Sequence, residues 1–286
     1  MRTPALQAGL AGASRYRLHG VLGRGRRSVV YLAHHRELGH AVALKVARRA
    51  HLEAAGRGGS FAHEFELGSR LAGAGLVRMV DQGVAATEAF LAMEYMAAGP
   101  LRPAGFPVSD ARAWSLLAQA AAALARLHEQ GWVHRDIKPA NLLLRADGTL
   151  ALGDLGCACR RGERDAACRT LVGTPQYAAP EQNDGAPAHP CADIYSLGAV
   201  LHELVSARPA YPGPSLAEIL GQHAVAPVPR LPAPVAHWQP LLDRMLAKEP
   251  SQRICDGAAL LAELHRLREI VSPSTRIGTG APRKSS

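Results

Sequence analysis

The chain is expected to fold as a bilobal α+β protein, with a small β-rich lobe followed by a larger, mostly helical one. Three observations predict this. Between Tyr16 and Val46, short β-prone runs alternate with glycine or polar turns, the pattern of an antiparallel meander. Gly99-Pro100 then punctuates the chain and marks the boundary between the lobes. Beyond it, apolar residues recur at helical spacing over several segments. At 286 residues the chain is long enough to bury a large core.

Residues 1–14 have no clear period and read as a flexible arm. Strands are expected at Tyr16–Leu22, Ser28–Ala33 and His40–Val46, and a helix over Phe61–Leu71. Two more strands follow at Val77–Gly83 and Ala89–Glu94, so the small lobe is bounded at 15–97 and the large lobe at 98–270. Ser109 is suited to cap a long helix reaching Gln130, because its oxygen can accept an unpaired first-turn N–H. Trp114, Leu117, Ala121, Leu124 and His128 share a face of that helix, and Gly131 can end it. Asp193–Val205 is apolar on nearly every side, so a helix there belongs inside the lobe. The four prolines of Pro227–Pro234 make an extended spacer between helices. Helices follow at Val235–Ala247 and Gly257–Ile270, and the basic tail 271–286 is expected to be disordered.

Composition narrows the partners. A hydrophobic content of 48% with 20% charged residues describes an ordinary globular protein. The formal net charge of +9 favours anionic partners without choosing among ATP, acidic peptides, nucleic acid and anionic lipid. Basic residues are scattered, and no zinc finger or aromatic–basic interleaving occurs, so nucleic acid is not expected. Five cysteines are too few for a disulfide scaffold and fit a reducing compartment. The apolar run near Met1 is broken by Gln7 and glycines, which makes a poor signal peptide. No stretch approaches the roughly 18 apolar residues of a membrane span, so a cytoplasmic location is expected.

The chemistry concentrates in His134-Arg135-Asp136-Ile137-Lys138-Pro139-Ala140-Asn141, followed by Asp154-Leu155-Gly156. These spacings suit phosphoryl transfer from a metal-bound nucleotide: Asp136 can accept a hydroxyl proton, and Lys138 can offset charge on the moving group. Asn141 and Asp154 can offer oxygens to a hard divalent cation. Upstream, Leu22-Gly23-Arg24-Gly25 runs towards Ser28 between two strands. Glycines there allow backbone amides to approach phosphate, although a plain hairpin has the same pattern. A dinucleotide-binding reading fails because this loop leads into a strand and not a helix. Lys45, on the strand Val42-Ala43-Leu44-Lys45, has a candidate partner in Glu64 of the next helix.

Taken together, these motifs resemble the catalytic domain of the eukaryotic-type Ser/Thr protein kinases over about Tyr16 to Ile270. The resemblance implies a protein-kinase-like fold, ATP with Mg2+ or Mn2+ as cofactors, and Ser/Thr-bearing protein substrates. In that pattern Gly23, Gly25 and Ser28 form the phosphate loop, with Ser28 where a third glycine usually stands. Lys45 and Glu64 are its conserved-type ion pair, Val30 and Ala43 cover the adenine, and Leu143 is its floor. Met93 resembles the gatekeeper, and the backbones of Glu94 and Met96 the hinge. Asp136 resembles the catalytic base, Lys138 the γ-phosphate lysine, and Asn141 and Asp154 the metal ligands. Gly173-Thr174-Pro175-Gln176-Tyr177 with Ala179-Pro180-Glu181 resembles the peptide-docking end of an activation segment, Thr174 marking Ser/Thr specificity. Asp193 and Arg253 resemble structural ties to the catalytic loop and Glu181. The Pro-Glu-Gln ending at Gln182 resembles bacterial members.

The same resemblance places an activating phosphosite at Thr170, with Arg135 to hold the phosphate, and implies an opposing phosphatase and phosphothreonine-binding partners. Two departures stand out. Gly68, one turn after Glu64, replaces a bulky residue, and Leu155 replaces phenylalanine, so a thin stack, a mobile helix and modest basal activity are expected. Ala140 stands where kinases of arginine-rich substrates carry an acid. Cys157, Cys159 and Cys168 lack paired zinc spacing and read as structural. His34-His35 and His40 read as a solvated hairpin. An inactive nucleotide-binding scaffold and an aminoglycoside-type kinase are the competing readings. The set Lys45, Asp136, Asn141 and Asp154 speaks against the first, and Gly173–Glu181 against the second.

Overall fold

The computed structural model describes residues 15–25, 28–53, 61–73, 75–85, 87–102, 105–164 and 175–271. The small lobe is built on β1 (Tyr16–Arg24), β2 (Ser28–His35), β3 (His40–Arg48), β4 (Met79–Val84) and β5 (Glu88–Glu94). Their order is β1-β2-β3-β5-β4, antiparallel throughout. Strand alternation sorts the side chains. Val42, Leu44 and Val46 of β3 join Tyr16, Phe90 and Ala92 on the outer face. Ala43 and Ala47 join Ala89, Leu91 and Met93 on the inner one, which leaves Lys45 pointing inward with them. Between β3 and β4 come α1 (Arg49–Glu53) and α2 (Phe61–Arg70). The buried face of α2 carries Phe61, Glu64, Leu67 and Gly68, a helical spacing that turns a carboxylate towards the sheet.

Two small-lobe expectations are corrected. β2 continues to His35, which strand alternation puts on the same face as Ala33 and Tyr16. The ring is buried edge-on to Tyr16 at 4.9 Å, and its Nδ1 accepts the Leu38 N–H at 3.2 Å, so His35 is not part of a solvated hairpin. β4 begins at Met79, not Val77, because Leu76 and Val77 pair with Leu152 of the large lobe instead.

The large lobe opens with β6 (Gly99–Pro100) and α3 (Asp110–Glu129). Ser109 Oγ accepts the Arg112 N–H at 3.3 Å, and Gly131 follows at φ 76°, so both ends of α3 form as their residues predict. Next come β7 (Trp132–Val133), β8 (Leu142–Leu144), β9 (Leu150–Leu152), β10 (Cys159–Arg160), α4 (Pro180–Asn183) and α5 (Pro190–Ser206). α5 starts three residues ahead of Asp193, because Pro190 suits the first turn, where no amide donor is needed. Every residue from Pro190 to Val205 is buried, as expected of a helix at the lobe's centre.

α6 (Leu216–Val225) is started by Ser215, whose Oγ accepts the Glu218 N–H at 3.2 Å. α7 (Gln239–Met245) replaces the continuous helix expected over Val235–Ala247. Residues Ala233–Trp238 wind as a 3-10 turn, and Pro240 lacks the N–H that would bond to Ala236 and carry an α-helix through. α8 runs over Gly257–Val271. Val271 is therefore helical and not part of the tail. A side chain at Gly257 would come within 2.3 Å of the Ala125 nitrogen, so glycine is what lets α8 meet α3.

One buried histidine makes the fold sensitive to pH. His223 of α6 is fully buried, with Nδ1 against the Tyr195 hydroxyl at 2.9 Å. Burial, reinforced by Lys248, lowers its pKa from 6.5 to about 4. Across that window the unfolded chain takes up a proton that the folded chain refuses. Stability should fall as pH drops from 6.5 to 4, by about 3 kcal/mol from this residue. Denaturant unfolding of the parent and His223→Gln checks this; equal losses in both would remove His223 as the cause.

Candidate active site

The centre of the site is Lys45. Its Nζ donates to Glu64 Oε2 and to Asp154 Oδ1, each at 2.9 Å. Three elements far apart in sequence thus converge on one ammonium: β3, α2 and the turn after β9. Burial alone would depress the lysine, but the carboxylates of Asp154 and Glu64 outweigh it and hold Lys45 above its ordinary pKa. Asp154 is driven the other way, to about 2, chiefly by the Lys45 charge. Burial pushes Glu64 up against the pull of Lys45. Asp154 keeps 43% of its side chain accessible, so this carboxylate remains open towards the space between the lobes. Its backbone is left-handed, at φ 59° and ψ 71°, an unfavourable conformation for an L-residue that its surroundings must maintain.

The loop His134–Asn141 is held from below. Asp193, wholly buried on α5, accepts the N–H groups of His134 and Arg135, each at 2.7 Å. It also pairs with His128 Nε2 at 2.9 Å. His128 Nδ1 accepts the Gly257 N–H, so Nε2 carries the proton that goes to Asp193. Burial would raise Asp193, but these donors overcome it and keep the carboxyl below its ordinary range. His134 works the same way: Nδ1 accepts the Asp136 N–H at 3.3 Å, leaving Nε2 to donate to the Gly153 carbonyl at 3.1 Å.

Within the loop, Lys138 Nζ reaches Asp136 Oδ2 at 2.7 Å. Asn141, set by the 3-10 turn Pro139–Asn141, donates Nδ2 to the Asp136 carbonyl at 2.8 Å and to Oδ2 at 2.9 Å. Both bonds use the amide nitrogen, so the Asn141 side-chain oxygen takes part in neither. Arg135 stands at φ 67° and donates Nη1 to Cys159 Sγ at 3.3 Å.

Beside these polar groups, Val30, Ala43, Met93, Met96 and Leu143 gather in one apolar cluster with Val77 and Ala151. Cross-strand pairing sets two of these neighbours: Ala43 stands opposite Met93, and Val30 opposite Lys45. At the hinge the Glu94 N–H is taken by the Arg78 carbonyl at 2.8 Å, and the Met96 carbonyl by the Gly99 N–H at 2.9 Å. Leu22 and Arg24 are exposed at the end of β1, and the Gly25 N–H returns to the Ser28 carbonyl at 2.8 Å. A Cβ built on Gly23 would touch nothing within 4 Å, so there is open space over this turn.

On the far side of the loop, the buried Tyr177 hydroxyl donates to Glu203 Oε2 at 2.6 Å. Arg253 Nη2 holds Glu181 Oε2 at 2.8 Å. Thr170, Gly173, Thr174 and Cys168 lie outside the described residues.

The family described as Protein kinase domain matches residues 16–264. The chain belongs to the protein kinase family. It is 31% identical over 288 residues to the serine/threonine-protein kinase PknB of Mycobacterium tuberculosis, covering 96% of this chain and 46% of that protein. It is 37% identical over 263 residues to PkaA of Streptomyces coelicolor, covering 84% and 48%. PknL of Mycobacterium bovis is 32% identical over 290 residues, covering 96% and 70%. The chain therefore spans about half the length of the first two relatives. Among the described residues, no helix of this kinase domain is long and apolar enough to cross a membrane.

The kinase domain contains features that local sequence did not signal. Arg145, after β8, clasps Glu94 in a bidentate pair at 2.6 and 3.1 Å, tying the hinge to the large lobe. No periodicity links residues 51 apart. Gly153 leaves room for Leu143, whose Cδ1 would lie 2.8 Å from a Cβ there. The thin stack expected at Gly68 is also corrected. Met79 fills the space, with its Cγ 2.7 Å from where a Gly68 side chain would begin, and Leu155 is 1% exposed in the core shared with Leu67 and Leu76. A Gly68→Leu substitution should therefore displace Met79 and lower stability by about 1–3 kcal/mol, the usual range for overpacking. A thermal unfolding midpoint at or above the parent's would oppose this.

Proposed function

We propose that the chain transfers the γ-phosphoryl group of Mg-ATP to serine or threonine hydroxyls of proteins, including its own activation segment. The observation that carries this reading is the double ion pair of Lys45 with Glu64 and Asp154, at 2.9 Å each, beside Asp136 and Asn141. Lys45 would bind the α- and β-phosphates, held in place by Glu64. The apolar cluster from Val30 to Leu143 would enclose the adenine, and the turn at Gly23–Ser28 would lie over the phosphates.

Asp136 would orient the substrate hydroxyl and take up its proton as the oxygen attacks phosphorus. Lys138, already on Asp136 Oδ2, would meet charge on the transferring group. The donor set fits a divalent cation held partly by protein and partly by phosphates: Asp154 offers an accessible carboxylate and Asn141 an amide oxygen. Bound Mg2+ or Mn2+ would neutralise charge between the phosphates. Among the described residues, no group of three or more His, Cys, Asp or Glu could hold a metal alone.

Docking of the protein substrate is assigned to the segment around Thr174 and Pro175–Ala179, and phosphorylation at Thr170, held by Arg135, would order it. Ala140 disfavours arginine-directed substrates. A phosphatase and phosphothreonine-binding proteins would be the regulatory partners, residues 15–270 would be the catalytic unit, and dependence on ATP suits the cytoplasm. The test is to incubate the purified chain with Mg-ATP and a Ser/Thr peptide library. Incorporation into serine or threonine is expected; no transfer to either the library or the chain would overturn the proposal.

A further inference from the structure

Arg135, the residue before Asp136, has a left-handed backbone at φ 67°. Such a conformation in a residue with a side chain persists only when its neighbours over-determine it. Its N–H is fixed by Asp193 Oδ1 at 2.7 Å. Its carbonyl, which belongs to the peptide unit joining it to Asp136, accepts from Gln182 Nε2 at 3.0 Å. The other end of the same amide, Gln182 Oε1, accepts the Ala179 N–H at 3.1 Å. Both partners are main-chain groups of fixed polarity. Only one orientation of the amide satisfies them, with oxygen on Ala179 and nitrogen on Arg135.

Gln182 lies on α4, immediately after the peptide-docking segment Pro175–Ala179. That segment is anchored at Tyr177 by Glu203 and, just beyond it, at Glu181 by Arg253. A single side chain therefore joins the end of the docking segment to the peptide bond that carries Asp136. We propose that Gln182 is a positioning residue: it fixes the Arg135–Asp136 peptide and makes the orientation of Asp136 depend on how residues 175–179 are seated. This role rests on the phosphotransfer reading above.

Q182E separates the two arms. Its carboxylate can still accept from Ala179, but when ionised it has no donor for the Arg135 carbonyl and repels it; when protonated it regains one. At pH 8, kcat on a peptide should fall about tenfold, with KM for ATP unchanged, because a small misplacement of a reacting group is costly. The deficit against the parent should shrink as pH is lowered towards 5, where a glutamate begins to protonate. Q182N, too short to span both partners, should be slow at every pH. A purely structural role would lower the unfolding temperature without this pH-dependent recovery.

Amide hydrogen exchange supplies a readout that needs no catalysis. The His134, Arg135 and Asp136 amides should exchange about fivefold faster in Q182E, the size of one net hydrogen bond. Unchanged exchange at these amides overturns the proposal, as does a parent-like kcat and pH profile in an active chain. An inactive parent would overturn the kinase reading alone, with exchange still deciding the role of Gln182.

Discussion

Asp136→Asn is expected to cut the rate of phosphoryl transfer by roughly 10²–10⁴, the range that positioned acid–base groups contribute. The substitution keeps the size of the side chain, the main-chain bond from Asn141 and one oxygen for Lys138 and Asn141 to share, at 2.7 and 2.9 Å in the parent, but removes the negative charge and the second oxygen that could take up a proton. Nucleotide affinity should stay close to the parent's, because Asp136 is not among the groups around Lys45. Lys45→Met provides the contrast. It removes the cation between Glu64 and Asp154, leaving a buried carboxylate, 2% exposed, without its counter-charge, so nucleotide affinity and stability should both suffer. Single-turnover kinetics with separate nucleotide titrations distinguish the two. Transfer at the parent rate in Asp136→Asn would remove Asp136 from the role of base.

The second large effect is expected at Asp193, which touches no substrate in this reading. Asp193→Ala strips two buried backbone N–H groups and His128 of their acceptor at once. Each unmet buried donor costs about 1–3 kcal/mol, so a loss of roughly 3–5 kcal/mol is expected. That would lower the unfolding midpoint by on the order of 10 °C for a domain of this size. Activity should vanish with it, since His134 and Arg135 would lose what aligns the loop. Calorimetry on the purified variant decides the matter; a midpoint within a few degrees of the parent's would mean that the loop is held by other contacts.

The two substitutions mark where sequence is informative and where it is not. Asp136, Lys138 and Asn141 lie within six positions of one another, so their mutual reach follows from local geometry and the motif is legible by eye. The clasp around them is not. Asp193 is 57 positions after Asp136, and Gln182 is 46 after it. Only resemblance pointed to Asp193, and nothing local signalled what Gln182 bonds to. Gly68 is instructive in the opposite direction. Helix propensity correctly marks glycine as unfavourable there, but the inference of an empty space fails, because Met79 arrives from β4 to fill it.

The sequence by itself determined most of the small lobe's strands, the long helix from Ser109 to Gly131, the buried central helix and the compact run of polar residues from His134 to Asn141. Periodicity, caps and short motifs are properties of neighbours along the chain, and these elements need nothing else. Tertiary structure alone decided that β2 buries His35, that Pro240 restarts α7, that Leu76 pairs with Leu152, and that Arg145 clasps the hinge at Glu94. It also decided the ionisation of the site. A lysine between two carboxylates is held charged and Asp154 is driven down to about 2, because the fold brings three elements together at hydrogen-bond distance.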